Sequence, residues 1–104
     1  MALDFLKHTP REKYSLFATI SDLEVSMLEI PIFEFKNKTG IYIDPYGKTH
    51  LHSDYIEILY SLILNHENTI MEDGKRPFKN SFDNVKSILT KAIEEKVDLV
   101  AIGD

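Results

Sequence analysis

Apolar and polar positions follow a helical period most clearly towards the end of the chain. Phe82, Val85, Ile88, Leu89, Ala92, Ile93 and Val97 recur at helical spacing against Lys86, Lys91, Glu94 and Glu95. That pattern predicts an amphipathic helix with Ser81 as its cap. The short apolar run that follows, residues 98–102, reads as a strand buried within a sheet. Upstream, Ser53 is placed to cap a helix from Asp54 to about His66. In that helix Asp54, Glu57, Ser61 and Asn65 form one narrow polar stripe and nearly everything else is apolar, so most of its circumference should be covered. Between the two helices, Asn68 to Lys79 contains Asp73-Gly74 and Pro77 and reads as a long loop.

The middle of the chain changes to β-branched and aromatic runs. Ile32-Phe33-Glu34-Phe35 and Ile41-Tyr42-Ile43 flank Asn37-Lys38-Thr39-Gly40, which predicts a hairpin. Asp44-Pro45-Tyr46-Gly47 has the residues of a type I turn in order, and a short strand from Lys48 to Leu51 should follow. Nearer the start, Thr9-Pro10-Arg11-Glu12 predicts a helix to about Ile20. Ser21-Asp22-Leu23-Glu24 repeats the capping-box spacing and predicts a short helix to Glu29, with Pro31 forcing Ile30 extended. Strands are the alternative here, because Leu16, Ala18, Ile20 and Leu23, Val25, Met27 also alternate at period two. The fold expected is α+β: a single domain over residues 1–104, with a small antiparallel sheet (a hairpin near 32–51 plus the strand at 98–102) packed against about four helices.

Composition narrows the chemistry. The 104 residues hold no cysteine, which removes disulfides, thiolate metal sites and cysteine nucleophiles together. With 43% hydrophobic and 28% charged residues, the chain is expected to fold rather than stay disordered. Twelve Lys and Arg against seventeen Asp and Glu, a net charge of −5, disfavour direct binding to nucleic acid or to an anionic membrane. Met1 to His8 has an early acid and no long apolar run, and the apolar stretch from Tyr55 to Leu64 is far below the ~20 residues of a membrane span. A cytoplasmic protein without leader or anchor is expected.

Motifs of catalysis are sparse. No G-x-S-x-G, G-x-G-x-x-G, glycine-rich G-K-[ST] or H-E-x-x-H occurs, and four glycines leave little for a phosphate-cradling loop. His50-Leu51-His52-Ser53-Asp54 could present two imidazoles and a carboxylate on one side of a strand, the basis for reading a small metal-dependent enzyme. Polar surface is the simpler reading, and no metal or other cofactor is expected. Lys75-Arg76-Pro77-Phe78-Lys79 is too short, in too acidic a chain, to make a nucleic-acid site. Charge is more informative. Residues 14–35 carry four acids (Asp22, Glu24, Glu29, Glu34) and residues 49–74 carry five (Asp54, Glu57, Glu67, Glu72, Asp73), with no Lys or Arg in either. The other eight acids face all twelve cations, a remainder of +4. Acidic segments brought together would steer a basic protein partner.

Asp44-Pro45-Tyr46-Gly47-Lys48-Thr49, followed by a Leu- and Ile-rich helix, a second helix, a short apolar strand and Gly103-Asp104, resembles small bacterial immunity proteins. These are the antidotes encoded beside polymorphic or contact-dependent growth-inhibition toxins. The pattern of that group, D-x-Y-G-[DK]-T after a hairpin and a closing apolar-G-D, covers about residues 33–104. Lys48 stands where an acid is more usual, and Ala101-Ile102 replaces a bulkier aromatic pair. The resemblance implies a non-enzymatic antitoxin that binds a cognate toxin domain, a basic nuclease by preference, and occludes its active site or substrate surface. Tyr46, at the tip of its turn, is the expected aromatic anchor, and Asp54, Glu57, Glu67, Glu72 and Asp73 are the expected acidic contacts, while Tyr55 and Tyr60 should pack inside. A regulatory or adaptor domain with an endogenous protein partner is the alternative that uses the same surface.

Overall fold

The first strand, β1 (Leu3–His8), is followed by β2 (Ser15–Ile20) in a computed structural model that describes residues 2–8, 15–70 and 79–103. Chain order continues with α1 (Asp22–Met27), α2 (Glu29–Thr39), β3 (Lys48–Leu51), α3 (Ser53–Thr69), α4 (Lys79–Glu95) and β4 (Asp98–Gly103). The strands form one antiparallel sheet in the order β2-β1-β4-β3. This is an α+β fold with one sheet and four helices over the described residues, as the patterns predict, but its strands are drawn partly from different residues.

Register explains the core. Leu3 pairs with Ile20 and Gly103, Phe5 with Ala101, and Leu51 with Leu99. Period two puts these residues on one sheet face, where they join Phe35, Ile56, Ile63, Phe82, Val85 and Leu89 in a single buried cluster. Tyr55 and Tyr60 pack against that cluster as expected. Val100 is also buried but lies on the other face, in register between Leu6 and His50, and is not part of the cluster. A register shift between Phe5 and Leu6 makes Phe17 the extra residue of a bulge. Its ring packs against the core, with Lys91 Nζ 5.3 Å from its centroid.

Three expectations are corrected. Residues 15–20 are a strand, so the period-two alternative holds there and a helix running to Ile20 does not; residues 9–14 lie outside the described residues. The hairpin over 32–43 is absent: residues 29–39 are α2, and 41–44 are neither helix nor strand, leaving 48–51 as the strand of that region. Pro31 does not extend the chain because it sits in the first turn of α2, where a missing N–H has no intrahelical partner to lose. Gly40, read as a hairpin turn, is the left-handed cap of the helix at φ +80°, its N–H donating to Lys36 O at 2.7 Å. Finally, α4 begins at Lys79, before Ser81, and α3 runs on to Thr69. The loop expected from Asn68 to Lys79 therefore loses its first two residues to α3, and 71–78 lie outside the described residues.

The start of α3 is held from outside the helix. Ser53 is its first residue and not its cap; the Ser53 N–H donates to Asp98 Oδ1 at 2.9 Å, so a carboxylate at the head of β4 serves the helix N-terminus. At α1 the capping box predicted from Ser21 and Glu24 is present. Ser21 Oγ accepts from the Glu24 N–H at 3.3 Å and Glu24 Oε1 accepts from the Ser21 N–H at 2.9 Å.

Candidate protein-docking surface

The Asp44–Thr49 turn is built from its own side chains. Asp44 Oδ1 accepts from the Tyr46 N–H at 2.8 Å, and the Gly47 N–H donates to Asp44 O at 3.2 Å. Thr49, buried, accepts at Oγ1 from the Asp44 N–H at 3.1 Å and donates to Tyr42 O at 3.3 Å. The turn is clamped to the last strand: the Gly103 N–H donates to Gly47 O at 2.8 Å, and a Cβ at Gly103 would fall 1.9 Å from Pro45 O. The D-x-Y-G turn and Gly103 thus meet in space. The Tyr46 side chain stands out from the turn, with 68% of the residue's surface exposed.

A groove with a cavity volume of about 370 Å³ opens beside this turn. Its walls come from Asp22, Val25 and Ser26 of α1, from Glu29, Ile32 and Phe33 of α2, and from Tyr42, Ile43 and Pro45 of the connection to the turn. The helical residues fall at i, i+3, i+4, i+7, i+10 and i+11, one stripe that continues across Leu28, the residue that caps the end of α1 and the start of α2. Phe33 is 61% and Tyr42 51% exposed. Six large apolar side chains are exposed among the described residues, and five of them (Leu23, Ile30, Phe33, Tyr42 and Tyr46) lie between positions 23 and 46. Two of these, Phe33 and Tyr42, line the groove. Lys36 Nζ lies 5.4 Å from the centroid of the Tyr42 ring, a cation–π contact that sets a positive charge beside the groove.

The acids expected to make contact are not equivalent. Asp54 and Glu57 are exposed on the outer stripe of α3, together with Ser61 and Asn65. Glu67 is withdrawn from any contact surface: it is 2% exposed and its Oε1 lies 2.6 Å from Lys86 Nζ. Glu67 Oε2 is buried without a hydrogen-bond partner among the described residues. This hydrogen-bonded carboxylate, with Asp83 at 3.6 Å adding to it, holds the Lys86 ammonium above the ordinary lysine range against the opposing effect of burial. Lys86 is therefore not the solvated position its place on the polar face predicts. Glu24 is also internal, its Oε2 accepting from Asn84 Nδ2 at 2.7 Å and tying α1 to α4. Glu72 and Asp73 lie outside the described residues.

Asp22, Glu29, Phe33 and Tyr42 were not among the expected contacts. The helical spacing of residues 22–33 is the signal that could have found the first three.

His50 and His52 gather with His8 and Asp98, and not with Asp54, around a hollow of about 160 Å³ at the β3–β4 corner. His52 Nδ1 is 3.5 Å from Asp98 Oδ2, whose other oxygen is committed to α3. Among the described residues no three His, Cys, Asp or Glu side chains are arranged to hold a metal ion, and no helix is long and apolar enough to cross a membrane. No protein-family model, curated protein or solved structure shows a match to this chain.

Proposed function

We propose that this chain is an immunity protein: a non-enzymatic antitoxin that binds a cognate bacterial toxin domain in the cytoplasm and blocks its active site or substrate surface. The observation that carries the reading is the pair of exposed aromatics, Phe33 and Tyr42, that line a groove flanked by Asp22 and Glu29, with Tyr46 exposed on the turn that follows. Aromatic side chains held in solvent on a folded scaffold are the usual anchors of tight protein interfaces, and neighbouring acids steer and orient a basic partner. A nuclease fits that requirement, because a surface that binds phosphates is basic and an acidic antidote competes for it. An interface of about 800 Å² per partner is sufficient for such an inhibitor.

The test is binding to the product of the reading frame immediately upstream. Co-purification and a dissociation constant of about 1 nM or lower, weakening as salt is raised, are expected. Absence of binding at low ionic strength overturns the immunity reading.

A further inference from the structure

The groove beside α1 and α2 restricts what can enter it. Three backbone groups of its third wall are already used: Ile41 N–H donates to Thr39 Oγ1, Asp44 N–H to Thr49 Oγ1, and Tyr42 O accepts from Thr49. The other two walls are helices, whose backbone is bonded internally. Along those two walls an occupant must bind through its side chains. The floor offers Val25, Ile32 and Ile43, the rim offers Phe33 and Tyr42, and Asp22 and Glu29 stand on the helical wall. Apolar insertion beside carboxylates selects a segment with leucine-like side chains on one face and cations next to them.

Resting on the immunity reading, we infer that the groove receives an amphipathic basic helix of the partner. Its apolar side chains enter between Phe33 and Tyr42, its Lys or Arg residues meet Asp22 and Glu29, and Lys36 is displaced from the Tyr42 ring as it docks. Lys36 is thereby a specificity-determining residue. Its ammonium occupies an aromatic face that an incoming cation can use, and its charge opposes a basic occupant. Truncating it should tighten binding, the opposite of what removal of a contact residue does. A second copy of this chain is a poor occupant, since two molecules of net charge −5 repel.

The experiment titrates the isotope-labelled full chain with a Leu/Lys amphipathic peptide of about eighteen residues, long enough to be helical, and with a Leu/Glu peptide of the same pattern. Amide shifts should change over α1, α2 and residues 41–46 with the Leu/Lys peptide only. Phe33→Ser and, separately, Glu29→Lys should weaken that peptide about tenfold, and Lys36→Met should tighten it by about threefold. Both Phe33 and Glu29 are exposed, so their replacement leaves the core intact. Shifts centred elsewhere, equal response to the Leu/Glu peptide, or indifference to Phe33→Ser and Lys36→Met overturn the inference. So does concentration-dependent dimerisation abolished by Phe33→Ser, which makes a second copy the occupant. The two readings fail separately. If the upstream product binds with affinity unchanged by Phe33→Ser, the immunity reading stands and the groove assignment falls. If the peptide behaves as stated while the upstream product does not bind, the reverse holds.

Discussion

Helix α4 turns Phe82, Val85, Leu89 and Ala92 inward and leaves Asp83, Ser87, Lys91 and Glu94 in solvent. Helix α2 buries Pro31, Ile32 and Phe35 but holds Ile30 and Phe33 in solvent as well. The first arrangement leaves α4 with no apolar surface to satisfy. The second leaves α2 with apolar surface on two sides, of which the protein's own core covers one. The same contrast holds for acids: Glu67, beside α4, is sealed into an ion pair, whereas Asp22 and Glu29 stand at an open groove. The α3–α4 side is closed on itself, and the α1–α2 side leaves apolar side chains and acids at an open groove.

The sharpest test of that contrast sits within α2. Phe35 is fully buried, edge-on to Tyr55 with ring centroids 6.5 Å apart. Phe35→Ala should cost about 4 kcal/mol of stability by lost burial and the cavity left behind, measured by urea unfolding with an unchanged m-value. A cost below about 1 kcal/mol places α2 outside the cooperative core and removes the rigid wall the groove requires.

Next in size is the α3–α4 ion pair. Lys86→Met leaves Glu67 buried and uncompensated and should cost about 3 kcal/mol, whereas Glu67→Leu combined with Lys86→Met should recover most of the loss. The pH dependence has a definite sign. A lysine held above its unfolded-chain value contributes stability that is fully present below that value, about 10.4, and is lost as pH rises through the raised folded value. Unfolding free energy should therefore hold through neutral pH on this account and fall on the alkaline side, and the fall should shrink in Lys86→Met. An alkaline limb of unchanged size assigns it to other groups and reduces the pair to a surface contact.

A smaller effect tests how α1 is held. Glu24 accepts from the Ser21 N–H and from Asn84, so Glu24→Ala removes the carboxylate half of the capping box and the tie to α4, while Ser21 Oγ still accepts from the residue 24 N–H. About 2 kcal/mol is expected, since hydrogen bonds to a charged, buried group are the strong ones. Hydrogen exchange should rise in α1 and not in α3. Protection unchanged in α1 means that neither bond of the Glu24 carboxylate fixes this wall.

The legibility of the sequence follows the same division. The closed half was readable because its apolar residues keep one period: α3, α4, the strand at 48–51 and the strand at 98–102 all lie where their patterns place them, to within a few residues. The open half was not. In α2, Ile30, Ile32, Phe33 and Phe35 point in several directions, which erases the helical period and imitates a β run. The stripe from Asp22 to Phe33 keeps helical spacing but is shared between two short helices that meet at Leu28. Strand β1 was missed because Asp4, Lys7 and His8 dilute a six-residue element, one of whose two partners lies at the far end of the chain. The exposure of Tyr46 was legible because its turn chemistry is local. Glu67 was not, because its partner is nineteen positions away and only the packing of two helices brings them together. Sequence reasoning failed where the chain departs from patterning for its own core, which is where functional surfaces are expected.

The smallest expected effect bears hardest on the comparison. Phe33 is two residues from Phe35 on the same helix, yet 61% of it is exposed against none of Phe35. If its ring serves a partner and not the fold, Phe33→Ser should change the unfolding free energy by no more than about 0.5 kcal/mol, the range of surface substitutions that touch nothing essential. Polar replacement of an exposed ring leaves no cavity, and helix propensity changes little between Phe and Ser. Loss of more than about 1 kcal/mol means that Phe33 packs on the fold more than its exposure suggests and that the groove is part of the core's edge. Neutral stability with weakened partner binding separates the two phenylalanines by role. The same residue type on the same helix then holds the protein together at one position and presents it to another molecule at the next turn of the surface.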